Sequence, residues 1–173
     1  MRRVIRTACL GVLLAAGPAA LSSWAAERQE ARYEMEVVGV APDPGSGAPL
    51  LFLRATQDKR ELSIYIGPSE AQAVALPLQG LVPPRPLTHD LALNIIRSLE
   101  ARLTRVVITA LKEQTYHAEL ILEAHGKEIP LDCRPSDAVA LALRAQVPIW
   151  AAEPAFARPP RPGPAGVGRP RTP

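Results

Sequence analysis

Asp132, Arg134 and Asp137 crowd one short stretch of this chain, around Cys133 and Pro135. The two-residue spacing of Asp132 and Arg134 puts them on one face of a strand end. Asp137 falls in the first turn of a helix that Pro135 can open. Carboxylates suit a hard divalent cation such as Mg2+ or Mn2+, and Asp132, Asp137 and Glu70 are the candidate ligands. His89 is a candidate general acid or base, and Asp132, Asp137 and Asp90 are the acidic candidates for a catalytic role. Arg134 and Arg85 have the planar fork that holds a phosphate by two hydrogen bonds. Ser136 sits beside Arg134 at the expected helix start, where backbone N–H groups favour an anion.

Each of these residues has a plain structural alternative. Glu70, Asp90 and Asp137 all fall in first helical turns, where acids complement the helix dipole. Asp132 and Arg134 can simply pair, and His89 can pack at the border of its helix's apolar stripe. Ser69 and Ser136 are better helix-start residues than nucleophiles, because no base accompanies them in the sequence. No His/Cys metal spacing and no phosphate-binding loop is present.

The elements that would position these residues can be read from periodicity. Strands are expected over Met35–Val40, Leu50–Thr56, Glu61–Ile66, Arg105–Lys112, Tyr116–Glu123, Glu128–Cys133 and Pro148–Ala151, and His125-Gly126 forms a turn. Short helices are expected over Pro68–Leu76 and Pro135–Arg144, the second apolar enough to be buried on most sides. Between them Leu87, Leu91, Ile95 and Leu99 recur every fourth residue, with Ala92 and Ile96 widening the stripe, which predicts an amphipathic helix capped by Thr88.

Ile66–Leu76 aligns without gaps on Cys133–Leu143, sharing Pro-Ser-acid-Ala at the same strand-to-helix junction. The expected fold class is therefore α+β: a mixed sheet with short helices, in two β-β-β-α repeats joined by the amphipathic helix.

The ends differ from the middle. Arg2, Arg3 and Arg6 precede an apolar stretch over Ala8–Ala16, and Ser23-Trp24-Ala25 offers a cleavage site. Residues 1–25 thus read as a signal peptide, with an uncleaved anchor as the lesser alternative, and the product as exported, periplasmic or extracellular, without a stable transmembrane segment after processing. Residues 154–173 are rich in Pro, Ala, Gly and Arg and read as a disordered basic tail. The domain, residues 33–153, lies between them.

All 17 acidic residues fall between Glu27 and Glu153, against 13 of the 20 basic ones, a net −4. That excludes a domain that grips nucleic acid by phosphate neutralisation alone. Cys133, the one cysteine left after processing, cannot close an internal disulfide and reads as a small buried residue at a strand end.

Three segments, Ile66–Ala71, Arg85–Leu91 and Asp132–Ala142, in this order and spacing, resemble the bifunctional nuclease domain family. The resemblance covers about Met35–Glu153. It implies an α+β fold with a mixed sheet, a homodimer, and degradation of both DNA and RNA. Phosphodiester hydrolysis would use the candidates above, with the acids holding Mg2+ or Mn2+, His89 moving a proton and the arginines gripping nucleic acid. The alternative is a non-catalytic dimeric ligand-binding or regulatory module of the cell envelope, to which the acidic domain charge points.

Overall fold

The computed structural model describes residues 31–157. The expected signal peptide over residues 1–25, and residues 158–173 of the tail expected over 154–173, lie outside the described residues. Strands β1 (Arg32–Pro42), β2 (Pro49–Ala55) and β3 (Glu61–Tyr65) form an antiparallel meander followed by helix α1 (Pro68–Leu78). Helix α2 (Thr88–Ser98) then leads to a second meander, β4 (Ala101–Lys112), β5 (Thr115–Ala124) and β6 (Lys127–Cys133), followed by helix α3 (Pro135–Ala145). The short strand β7 (Ile149–Ala152) closes the sheet by pairing antiparallel with β1 and parallel with β4.

The sheet order β3-β2-β1-β7-β4-β5-β6 makes the duplication visible. Each β-β-β-α unit runs outward from the centre and returns through its helix, so the two units are arranged about β7. The fold is the α+β mixed sheet that the sequence pattern leads one to expect.

Alternation along the strands builds the core. Leu51 and Leu53 of β2, Leu62 and Ile64 of β3, Val106 and Ile108 of β4, and Leu120 and Leu122 of β5 all face it. Val74 of α1 and Val139 of α3 are fully buried against them. In α3 every residue from Ala138 to Ala142 is buried, as its unbroken apolar run predicts. The two-residue turn His125-Gly126 has positive φ at both positions (51° and 72°), which matches the twist of the β5–β6 hairpin.

Two expectations are corrected. The row Leu87, Leu91, Ile95 and Leu99 of α2 faces out, with Leu99 68% exposed, while Leu93 is buried and Ala92 and Ile96 pack beside it. The helix is also capped one residue earlier: Leu87 donates its N–H to Asp90 Oδ2 at 2.9 Å, so Thr88 is the first helical residue and not the cap. Periodicity located the helix but could not say which of two apolar rows meets the sheet.

Pro154 does not begin the tail either. Glu153–Phe156 form a 3-10 turn in which Ala155 is fully buried. Arg60 holds this turn. Its guanidinium lies 2.9 Å from Glu153 and stacks over the rings of Tyr33 at 3.9 Å and Phe156 at 4.3 Å.

No helix among the described residues is long and apolar enough to cross a membrane.

Candidate functional site

The two repeat junctions meet. Helices α1 and α3 pack together with their first turns adjacent, and α2 starts beside α3. Arg134, the last residue before α3, lies between them, 65% exposed. Its Nε donates to Asp137 Oδ2 at 2.7 Å and its NH2 to Asp137 Oδ1 at 3.1 Å, a bidentate pair within one helix start. Its NH1 reaches across to Glu70 Oε1 at 3.0 Å, in the first turn of α1.

On the other side His89 Nε2 lies 3.1 Å from Asp137 Oδ1, bringing in the first turn of α2. One connected chain, Glu70–Arg134–Asp137–His89, therefore joins three helix starts drawn from both repeats.

The electrostatics follow from this geometry. Partial burial pushes the Asp137 carboxyl up, but hydrogen bonds from Arg134 and His89 outweigh it, and the net effect holds the group below its ordinary value of 3.8. The Asp137 partner in turn raises Arg134 above the usual guanidinium value. Next door, burial and then the Asp137 and Asp132 charges push the Cys133 thiol up to about 12. Cys133 is accordingly a protonated, half-buried thiol with none of the character of a nucleophile.

Gly67 occupies in the first repeat the position that Arg134 holds in the second. A Cβ there would collide with the Glu70 carboxylate, which folds back over the start of α1. The glycine leaves room for Glu70 to turn toward Arg134.

Two open cavities flank the chain, and Arg134 and Glu70 line both. One, of about 610 Å3, lies between the starts of α1 and α2, lined by Ser69, Gln72, Thr88, His89 and Asp137. The other, of about 680 Å3, lies between the end of β3 and the β4–β5 hairpin and includes Tyr65, Gln114, Tyr116 and Ser136.

Of the residues proposed from sequence, the fold thus gathers His89, Asp137, Arg134, Glu70 and Ser136. It does not gather the others. Asp90 accepts from Leu87 N–H and from Arg144 Nε, each at 2.9 Å. Arg144, only 8% exposed, also donates to the carbonyls of Ala73 and Ala140, so this pair ties the three helices together and turns Asp90 away from the Glu70–Arg134–Asp137–His89 chain. Asp132 is exposed on β6 opposite Glu119 of β5 and lines neither cavity. Arg85 is exposed in the α1–α2 connection and likewise lines neither.

The expected cation ligands do not fit together. Asp132 stands apart, and the Arg134 guanidinium fills the space between Glu70 and Asp137 that a cation would need. Among the described residues no group of three or more His, Cys, Asp or Glu is arranged to hold a metal ion. Sequence reasoning placed Asp132 beside Arg134 because they are two apart on a strand. The strand ends at Cys133, and Arg134, on extended backbone just before α3, spends its guanidinium on Asp137 and Glu70 and makes no bond to Asp132.

Tyr65, Tyr116 and Gln114 were not singled out from sequence. The one available signal was position, since Tyr65 immediately precedes the first copy of the repeat.

Fold and site together define a duplicated α+β domain with a charged cleft where its two junctions meet. The model of the bifunctional nuclease domain matches residues 51–159. Two uncharacterized proteins of Mycobacterium tuberculosis, from strains CDC 1551 / Oshkosh and H37Rv, are each 45% identical over 125 residues, covering 72% of this chain and 74% of theirs. The chain belongs to the bifunctional nuclease domain family.

Proposed function

We propose that this protein hydrolyses phosphodiester bonds of DNA and RNA outside the cytoplasm, in the cleft where α1, α2 and α3 begin. The observation that carries the reading is the bridge from His89 through Asp137 to Arg134, open to solvent on both sides. In the tautomer whose Nε2–H donates to Asp137, Nδ1 of His89 is the acceptor, suited to take a proton from an attacking water or sugar hydroxyl. Asp137 fixes the ring's orientation. Two of the five Arg134 N–H groups bond Asp137 and one faces Glu70, which leaves two to meet a phosphate oxygen as negative charge builds on it. Because the acids do not form a cation cage, no step is assigned to a bound metal.

The test is cleavage of DNA and RNA by the purified mature protein, with and without added Mg2+ or Mn2+. His89→Ala and Asp137→Asn are expected to lower the rate by about a hundredfold or more. Variants as active as the wild type would mean that a contaminant does the cutting.

A second reading rests on the compensation of Arg134 by two carboxylates, which suits an anion-binding or regulatory module of the cell envelope. It expects stabilisation by a phosphate-bearing ligand without turnover.

The proposal includes a homodimer through α2. Leu87, Leu91, Ile95 and Leu99 form an exposed aliphatic row, continued by Leu78, Leu81 and the 91% exposed Val82. Thr88, Asn94 and Ser98 beside the row carry no charge, so two copies can face each other without like-charge repulsion, as an isologous contact requires.

A further inference from the structure

We propose that the 680 Å3 cavity next to Arg134 is a nucleobase subsite, in which Tyr65 and Tyr116 flank an unpaired base whose phosphate rests on Arg134, so that single-stranded nucleic acid is the preferred substrate. This deepens the nuclease reading and rests on it for the identity of the ligand.

The chain has three tyrosines, and two of them line this one cavity. Tyr65, at the end of edge strand β3, is 64% exposed and adds nothing to the core. It shares the cavity lining with Arg134, and an exposed aromatic with an arginine in one groove holds bases of single strands, because every base offers a π face and every nucleotide a phosphate. Arg134 lines this cavity and the His89 cavity alike, so a phosphate held there has its base on one side and the proton-transfer group on the other.

The volume falls within the range of small-ligand sites. Ser63, Gln114 and Thr115 also line it and carry groups of the kind that hydrogen-bond a base edge. Gln114 sits at the tip of the β4–β5 hairpin with φ 64°, next to Glu113 at φ 47°, a pair of left-handed positions where Asn-Gly is the easy choice. Keeping a glutamine there costs backbone strain and retains an amide at the cavity wall. Duplex bases are stacked inside the helix and cannot enter.

The experiment measures binding of a fluorescent, cleavage-resistant phosphorothioate oligothymidylate by anisotropy, beside a duplex of the same length. Cleavage of the ordinary single strand is followed in parallel. Tyr65→Ala is expected to weaken single-strand binding about tenfold. Tyr65→Phe should retain it, and the duplex should respond to neither. Tyr116→Phe, which keeps the ring in the half-buried position, is expected to bind as the wild type does.

Unchanged binding by Tyr65→Ala, equal losses for single strand and duplex, or no single-strand binding by the wild type would overturn the subsite. Tyr65-dependent binding without cleavage would support the subsite while removing the nuclease reading. Cleavage whose KM ignores Tyr65 would do the reverse.

Discussion

Asp137 uses both carboxylate oxygens, one on Arg134 alone and one shared between Arg134 and His89. The charged form is therefore favoured in the fold, and the sign of its pH dependence follows. Its contribution to stability is complete above the ordinary value of 3.8 and is lost as the pH falls through the lowered value in the folded state. Melting temperatures taken from neutrality to below the usual carboxylate range should therefore fall less steeply for Asp137→Asn than for the wild type. Equal slopes would show that the bridge contributes nothing in solution. Arg134 is more than a positive charge, because it presents a fork to Asp137 and a third N–H group to Glu70. Arg134→Lys keeps the charge and loses the fork. It is expected to lower kcat/KM at least tenfold, about 1.4 kcal/mol of transition-state stabilisation. A lysine variant with full activity would reduce the residue's role to simple charge.

At the scale of elements, the helix starts do the positioning, and the lock beneath them is Asp90–Arg144. Arg144 reaches α1 through the Ala73 carbonyl and α2 through Asp90, from the last turn of α3. Arg144→Ala would leave a partly buried carboxylate without its side-chain donor and the Ala73 carbonyl, which Pro77 cannot cap, without any donor, costing about 2–3 kcal/mol. Chemical denaturation measures this directly, and a change under about 0.5 kcal/mol would mean that the helices are held by apolar packing alone. The elements themselves were largely legible in the sequence. Strand alternation and the Pro-Ser-acid-Ala repeat located both β-β-β-α units, because burial on one sheet face leaves a period of two and a Pro-opened helix leaves a fixed signature. Which side of α2 is buried was not legible, since two apolar rows run along it and only packing against β4 and α3 chooses Leu93. The site was half legible for a similar reason. First-turn acids look alike in sequence, and only the fold distinguishes Asp90, turned inward to Arg144, from Asp137, turned to the cleft.

At the scale of the molecule, the acidic domain charge and the exposed face of α2 set the questions of grip and assembly. Net −4 over residues 27–153 means that the proposed grip of this domain on nucleic acid rests on local geometry at Arg134, and not on a basic domain surface. The aliphatic row of α2 is expected to be covered by a second copy. Leu91→Glu combined with Ile95→Glu should give a folded monomer by light scattering where the wild type is a dimer, and a wild type that is monomeric at high concentration would remove the dimer. The central claim is that chemistry resides where the repeat junctions meet and nowhere along the neighbouring strand. It is tested by comparing kcat/KM for His89→Ala and Asp132→Ala on the same single-stranded substrate, in protein prepared side by side. The account predicts a loss of about a hundredfold or more for His89→Ala, with Asp132→Ala within about twofold of the wild type, as for a surface residue away from the site. Equal collapse of both variants, or loss in Asp132→Ala alone, would contradict it.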